Sequence, residues 1–371
     1  MAGPVVTREL KPGSVSFALA TDADDPEIRR VLRDNPMTGQ ISVSLEREPG
    51  YFAEAAATQC DQQTIVAREN NRLICVGSCS FRTRFVNGRP GRVGYLGGLR
   101  LDQQAAGRFD VLRRGYAFFR DLHHVHEPYF TAIASDNERA IRFLERAAPG
   151  MPQYDYVGEF VTAVLPVRKR TRAHRSFAIA RASNLEELVV FLNEHNRHYQ
   201  FAPSWTAEDL LRLRGLGLQI EDFWQIRSGR RIAACGALWN QQPFKQTVVR
   251  AYAPPLSWAR LWLNPLFAVC GRPQLPPVGT TLAHGFISHL AVAEDQPELL
   301  IELVAALNGD AAAQRLDYLM LGFSTGDSRL TTLRAHFKFR EYRSRLYSVR
   351  WPESETQTIE SRIANPELAL L

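Results

Sequence analysis

The residues whose types and order point most directly to chemistry run from Arg92 to Asp110, RVGYLGGLRLDQQAAGRFD. An apolar run, VGYLGGLRL, ends in a polar turn, QQAAG, and the chain continues in a helix-like segment, RFDVLRRGYAFFRDL. That order places free backbone N–H groups at a helix N-terminus directly after a buried strand. Such a cluster holds an anion without any basic side chain. Gly107 suits the turn because a side chain there would crowd the bound group. Gly97 and Gly98, just upstream, read either as a bulge that opens the sheet or as a packing requirement.

Several other side chains are candidates for acid, base or ligand roles. Glu159 interrupts the apolar strand YVGEFVTAV, and an isolated acid there is costly unless it is paired or faces a cleft. Glu46 and Glu48 precede Pro49, and Tyr95 lies on the strand that leads into the turn. His123, His124, His126 and Glu127 resemble a metal cluster on paper, but they read as the solvated C-terminal end of a helix, and no metal is expected. His284 and His289 differ by five positions, so on a regular strand they face opposite sides.

The elements that must position these groups follow from patterning. The first half reads as a strand over 15–20, helices over 25–34 and 51–57, and two strands joined at Asn70-Asn71. A turn at 87–91 leads into the strand ending at Leu101. Then come a helix to Leu122, a strand over 129–134, a helix over 137–147 and two strands in YDYVGEF and TAVLPV. The second half repeats that order. FAIARA is a strand, helices are capped at Asn184 and Thr206, and a hairpin turns at Ser228-Gly229. GFISHLAV, a helix, DYLMLGF, a further helix and REYRSRLYSVRW complete it. Residues 253–280, rich in Pro and Trp, read as an irregular insertion that covers an acceptor site, packs between domains or supports a homodimer. The layout is α/β (α+β), a mixed, mostly antiparallel sheet flanked by helices, repeated in two domains over 1–168 and 177–355. A basic linker at 169–176 joins them and a tail, 356–371, follows.

Composition bounds the function classes. The chain has 371 residues, 45% apolar and 23% charged, which is ordinary for a globular protein of two domains. No 18-residue apolar run exists and the start lacks a signal-peptide core, so a cytosolic protein with no membrane partner is expected. Five scattered cysteines read as free thiols. The net charge of +6 is modest, and the basic run VRKRTRAHR lacks the aromatic or Gly-rich interleaving of a nucleic-acid patch. GRVGYLGG is not GxGxxG, and no GxxxxGK[ST] is present, so neither a dinucleotide fold nor a P-loop is expected.

At Leu99–Asp110 the chain resembles a tandem-domain member of the GCN5-related N-acetyltransferase superfamily, the acyl-CoA-dependent acyltransferases. That family carries Gln/Arg-x-x-Gly-x-Gly/Ala between its fourth strand and third helix. Gln104, Gly107 and Arg108 match, and Phe109 stands where a small residue belongs. The family's later Asn-x-x-Ala is supplied by Asn137 and Ala140. The resemblance covers 15–166 by motif and 177–351 by element order, since AEDQPELL at 293–300 has no Gly-rich turn.

The resemblance implies that the first domain binds acetyl-CoA or another acyl-CoA, while the second helps build the acceptor cleft. The N–H groups of Ala105, Ala106, Gly107, Arg108 and Phe109 would hold the pyrophosphate, with Gln104 and Asn137 beside them and the Arg108 guanidinium facing solvent. The backbones of Leu99 and Leu101 would take the pantetheine arm. The family's usual tyrosine, seven residues after the asparagine, is missing; Phe143 and Leu144 occupy that region. Ser135 and Tyr95 are the substitute candidates, and Glu159 is the candidate base. The implied reaction is acyl transfer to an amine of a small molecule or peptide. A non-catalytic acyl-CoA-binding or protein-interaction role is the alternative. The acceptor is not legible.

Overall fold

The computed structural model describes residues 14–122, 127–168, 177–270, 273–293, 296, 298–354 and 358–371. In the first half the chain forms β1 (Ser16–Leu19), α1 (Asp25–Asp34), β2 (Ile41–Glu46), α2 (Ala53–Thr58), β3 (Asp61–Glu69) and β4 (Arg72–Val86). It continues through β5 (Arg89–Leu101), α3 (Phe109–Leu122), β6 (Tyr129–Ala134), α4 (Glu138–Leu144) and β7 (Gln153–Pro166). The second half begins with β8 (Ile179–Arg181), α5 (Leu185–Asn196), α6 (Ala207–Arg212), β9 (Phe223–Ser228), β10 (Arg231–Trp239) and β11 (Gln246–Tyr252). Then follow α7 (Pro254–Val269), β12 (His284–Val292), α8 (Leu299–Ala313), β13 (Tyr318–Ser324), α9 (Ser328–His336) and β14 (Arg340–Arg350).

Local chemistry explains most boundaries. Asn70 and Asn71 both take left-handed backbone at the β3–β4 turn, the conformation a two-residue hairpin demands. Thr206 and Asp209 form a reciprocal capping box at α6, and Asn184 caps α5 through the Glu187 N–H. Asn137 caps α4 by accepting from the Ala140 N–H at 3.2 Å.

Among the described residues, twelve strands form one sheet in the order β1-β3-β4-β5-β6-β14-β7-β13-β12-β10-β9-β8. The two halves share it by exchanging last strands. β14, the final strand of the second half, lies between β6 and β7, and β7 lies between β14 and β13. The parallel pairs expected after each crossover are present, β5 with β6 and β12 with β13. A separate ribbon, β2 antiparallel to β11, joins the halves a second time. The largest core cluster lies where α8 and α9 cover β7, β10, β12 and β13, around Leu303, Leu307, Leu319 and Leu333.

Four readings of the sequence change. YDYVGEF and TAVLPV are one strand, β7, whose register shift opposite Leu346/Tyr347 lets it bend without breaking. β2 and β11 are strands that patterning did not single out; they pair with each other across the halves, with single bridges to Met37 and Thr281 at their sides. The insertion at 253–280 is not irregular throughout, because α7 occupies Pro254–Val269. Its Pro254 and Pro255 stand in the first turn, where a missing N–H costs nothing. The residues read as a tail are packed: Ala364, Ala369 and Leu370 are buried against the sheet. The basic run at 169–176 and His123, His124 and His126 lie outside the described residues.

Candidate functional site

β5 and β6 pair only at Gly94–Tyr129 and Tyr95–Phe130, and beyond that point they diverge. On its other side β5 carries an extra residue: Ser78 of β4 faces Gly97, but Val76 faces Arg100. Gly98 takes φ 64°, the left-handed conformation that places the bulge at this glycine pair, as one reading of the sequence had it. The Tyr95 ring folds back along its own strand, so that a β-carbon on Gly97 would stand 2.8 Å from it. The strand therefore leaves the sheet with Leu99 partly exposed and its carbonyl accepting from the neighbouring Arg100 guanidinium, at 2.8 Å.

The turn between Leu101 and α3 is more closed on itself than an open cradle. Asp102 is buried, accepts from Arg30 and Arg72, and caps the turn through the Gln104 N–H. Burial works against its charge, but these donors hold its carboxyl below the usual carboxylate range. The N–H groups of Ala105, Ala106, Arg108 and Phe109 bond the carbonyls of Asp102, Gln103, Ala105 and Gly107. Among the described residues the Gly107 N–H has no partner, and Gly107 has φ 91°. Arg108 does not face solvent freely, a correction to the sequence reading: it pairs with Glu69 at 2.8 Å and Asp110 at 3.0 Å. Gln104 is exposed, and Ala105 is buried among Val15, Ile74 and Val111.

The cation beside the turn is another arginine. Arg139 Nη2 lies 2.7 Å from where a β-carbon on Gly107 would stand. Arg139 also sits over the Phe109 ring, which stacks on Phe143 with centroids 4.6 Å apart. These residues, with Arg142, Arg146 and Ala148, line an open pocket of about 350 Å³. Neither Arg139 nor Arg146 forms an ion pair with a described residue. Phe109, the misfit of the motif, is thus half of an aromatic platform under Arg139, in a pocket that Arg142, paired with Glu138, and Arg146 also line. Asn137 Oδ1 is spent on its own helix, which is the local reason for the Asn-x-x-Ala spacing.

The proposed acid and base groups are scattered. Tyr95 rests on Phe130, with centroids 5.0 Å apart; burial raises its phenol pKa, against the pull of Arg84, Arg100 and Arg47. The Ser135 hydroxyl is buried with no hydrogen-bond partner. The Glu159 carboxylate is engaged by Arg343 at 3.3 Å. Glu46 is buried under Arg250, and Glu48 pairs with Arg29 and Arg33. No group of His, Cys, Asp and Glu among the described residues could hold a metal ion.

Sequence reasoning missed a second set of charges between the halves. Glu54, Arg47 and Arg82 come from the first half, and Lys245 and Leu371 from the second. Lys245 Nζ donates to Leu371 O at 2.6 Å; burial and the nearby Arg47 outweigh Glu54 and bring its ammonium down to about 7. Burial opposes the charge of Glu54, but Arg47, Lys245 and Arg82 hold its carboxyl below the usual range. Arg84 is wholly buried, lowered by that burial to about 9, and donates to Phe201 O at 2.8 Å. These residues sit far apart in sequence, and no local pattern marks them.

The second half repeats the bulge. Cys235 faces Ala291 but Ala237 faces Ser288, and His289 has φ 53°. GYLGGLRL of β5 and GFISHLAV of β12 therefore correspond in register, with Gly94 matching Gly285 and Gly98 matching His289. Gly77 and Gly236 match on the neighbouring strands, where an added β-carbon would stand 3.3 Å from a methyl of Leu99 or Leu290. This octet repeat was the available signal. Because of the bulge, the two histidines of β12 do not follow simple alternation, and both are buried.

The second slot is filled by the chain itself. Glu367 accepts from the His289 N–H at 2.8 Å, and Asn365–Leu368 line what remains, a space of about 20 Å³, room for a single water. The Leu290 carbonyl, counterpart of that of Leu99, accepts from Arg329. His195 bonds the backbone of Val292, counterpart of Leu101. Arg329 is buried, clamped by Asp327 at 2.6 Å, and donates to His195 Nε2 at 2.9 Å. An arginine only donates, so His195 is neutral with its proton on Nδ1, in keeping with a pKa pressed well below normal by burial and Arg329.

With one slot open and one closed along a shared sheet, the architecture can be compared with known proteins. A GCN5-related N-acetyltransferase from Sphaerobacter thermophilus superimposes over 90% of this chain and 95% of its own, with TM-score 0.53 and 12% identity. Saccharomyces cerevisiae N-myristoyltransferase, solved with bound myristoyl-CoA, superimposes over 98% of this chain and 85% of its own, with TM-score 0.60 and 9% identity. The fold is that of the GCN5-related N-acetyltransferases. No protein-family model and no curated protein matches the sequence. The likeness lies in the mixed sheet flanked by helices, and at these identities it speaks for the fold alone.

Proposed function

We propose that the chain transfers an acyl group from acyl-CoA to an amine, with the first-half slot holding the donor. The observation that carries this reading is the contrast between the two bulges: the second is plugged by the chain, whereas the first opens beside an exposed turn. The pantetheine arm would run along the backbone of Leu99 and Leu101, where β5 and β6 diverge. The Gly107 N–H and Arg139 would meet the pyrophosphate. The Phe109–Phe143 platform, in a pocket also lined by Arg142 and Arg146, suits a nucleotide carrying a further phosphate, by stacking and by charge.

In the reaction the amine nitrogen forms a bond to the thioester carbon, the C–S bond breaks, and the thiolate takes a proton. Tyr95 is the group we assign to supply it, since burial keeps its phenol protonated. Lys245 is assigned as the base: its lowered proton affinity leaves a neutral amine available near pH 7. Glu159, held by Arg343, is the weaker candidate. The acceptor would enter between the halves.

Calorimetry with acetyl-CoA, followed by thiol release in the presence of a panel of amines and peptides, tests the reading. Saturable binding and amine-dependent thiol release are expected. Binding with no turnover for any amine would favour the non-catalytic alternative, and absence of binding to acetyl- and longer acyl-CoA would sink both.

A further inference from the structure

α7 presents an apolar face that nothing among the described residues covers. Trp258, Leu261, Trp262, Leu266 and Val269 are 77, 73, 83, 57 and 88% exposed, and their spacing puts them on one side of the helix. The opposite side is anchored. Asn264 exchanges two hydrogen bonds with Leu275, and Arg260 lies over the Tyr252 ring, whose hydroxyl donates to Pro276 O. Ala253, at the helix start, donates to Gln40 O on the β2–β11 ribbon. The helix is thus held firmly and turned outward, and no residue of it is buried.

The surrounding charge says what the face meets. α7 carries a single charged residue, Arg260, and the sequence on both sides of it, from Phe223 to Ala293, contains no Asp or Glu. The β2–β11 ribbon that carries the helix holds one acid, Glu46, which is buried and paired with Arg250. Two copies meeting through such faces would bring like charges together. A 16-residue helix is about 24 Å long and about 10 Å wide, a footprint of roughly 250 Å² against the ~800 Å² per partner of a stable interface. Tryptophan is the side chain most at home at a membrane–water boundary, where its ring is sheltered and its N–H stays wet.

We infer that α7 is an interfacial helix that docks the protein on a bilayer containing anionic phospholipid, lying in the plane of the surface. Trp258, Leu261, Trp262 and Val269 enter the acyl boundary, and Arg260, on a helix with no acid to repel them, meets the anionic headgroups. Spanning plays no part: no helix of the described residues is long and apolar enough to cross a membrane. Docking requires nothing of the donor slot and stands whether or not acyl transfer does. It departs from the expectation of no membrane partner, which rested on the lack of a spanning or signal segment.

Flotation of the full chain with vesicles of phosphatidylcholine and phosphatidylserine (7:3), and with phosphatidylcholine alone, is the test. Wild type should float with the anionic vesicles and be released in large part by high salt. The double variant Trp258→Ser/Trp262→Ser should bind on the order of 10-fold or more weakly, with an unchanged urea midpoint because both rings are solvated. If that variant misfolds, Leu261→Gln/Val269→Gln on the same face provides the measurement. No flotation of wild type overturns the inference, as does undiminished flotation of the folded variants. A dimer in solution that the variants dissolve, with no vesicle binding, assigns the face to a second copy instead.

Discussion

GYLGGLRL and GFISHLAV build the same bulge twice, and the two copies have opposite fates. At the first, two glycines leave the strand backbone bare, β6 diverges, and the adjoining turn ends at a cationic, aromatic pocket. At the second, His289 takes the left-handed position and its N–H is answered by Glu367; Arg329 and His195 take the next carbonyls. Trp205 and Phe223 close around the His289 ring. A bulge is thus a generic device that exposes backbone groups. Whether it becomes a binding slot depends on whether the chain supplies its own donors and acceptors to fill it. The buried Asp327–Arg329–His195 network is the cost of closing one slot, and the solvated Gly107 turn is the mark of leaving the other open.

The comparison breaks if the slots are energetically coupled, and the largest expected effect tests this. Arg329→Met strands Asp327 in the interior and should destabilise the fold by about 3–5 kcal/mol in urea titration. Acyl-CoA affinity of the remaining folded protein should stay within about twofold. A parallel collapse of affinity would show that the two slots act as one.

Gly107→Glu acts on the open side. A carboxylate at this left-handed position meets Arg139 and excludes the donor's phosphates, so affinity should fall by on the order of 100-fold, ~2.7 kcal/mol, in calorimetry. Circular dichroism should report a retained fold. Unchanged affinity would move the donor site elsewhere.

Phe109→Ala sharpens the role of the motif's misfit residue. Its ring is 44% exposed and stacks on Phe143, so affinity should drop about 10-fold while stability changes by ~0.5–1.5 kcal/mol. Tighter binding would mean that the ring obstructs the pocket rather than forming its floor.

The smallest effect is a slope with pH. Burial holds the His289 imidazole down at about 3 against a usual 6.5, so the unfolded chain takes up a proton before the folded one does. Stability from this group is complete above pH 6.5 and is lost as the pH falls towards 3. His289→Asn, which tolerates φ 53°, should flatten the dependence of the urea midpoint between pH 7 and 4. An unaltered slope would assign it to His195 instead.

Much of the fold was legible because its signals are local. β6, spanning Tyr129–Ala134, and α1, spanning Asp25–Asp34, follow directly from periodicity and flanking turn residues. The glycine pair of β5, the Asn70-Asn71 turn and the caps at Asn184 and Thr206 act within a few residues of themselves. β2 and β11 escaped because each is stabilised by a strand some 200 positions away. α7 escaped because its prolines and tryptophans read as loop composition, although Pro254 and Pro255 fit a first turn and the helix runs on through Pro265. In the candidate site, Gly107, Phe109 and Asn137 were visible by spacing. Arg139 was not, since nothing in SDNERAIRFLERA says which of its arginines leans towards Gly107.

By itself, the amino-acid sequence determined where most strands, turns and caps fall and that a glycine-containing turn joins β5 to α3, because these depend on dihedral preference and near-neighbour hydrogen bonds. Only the tertiary structure decided that each half's last strand enters the other's territory, that Glu367 closes the second slot, and that Lys245 and Glu54 share a half-buried cluster. Those outcomes depend on desolvation and charge pairing between distant segments, quantities that exist only once the chain has brought them together.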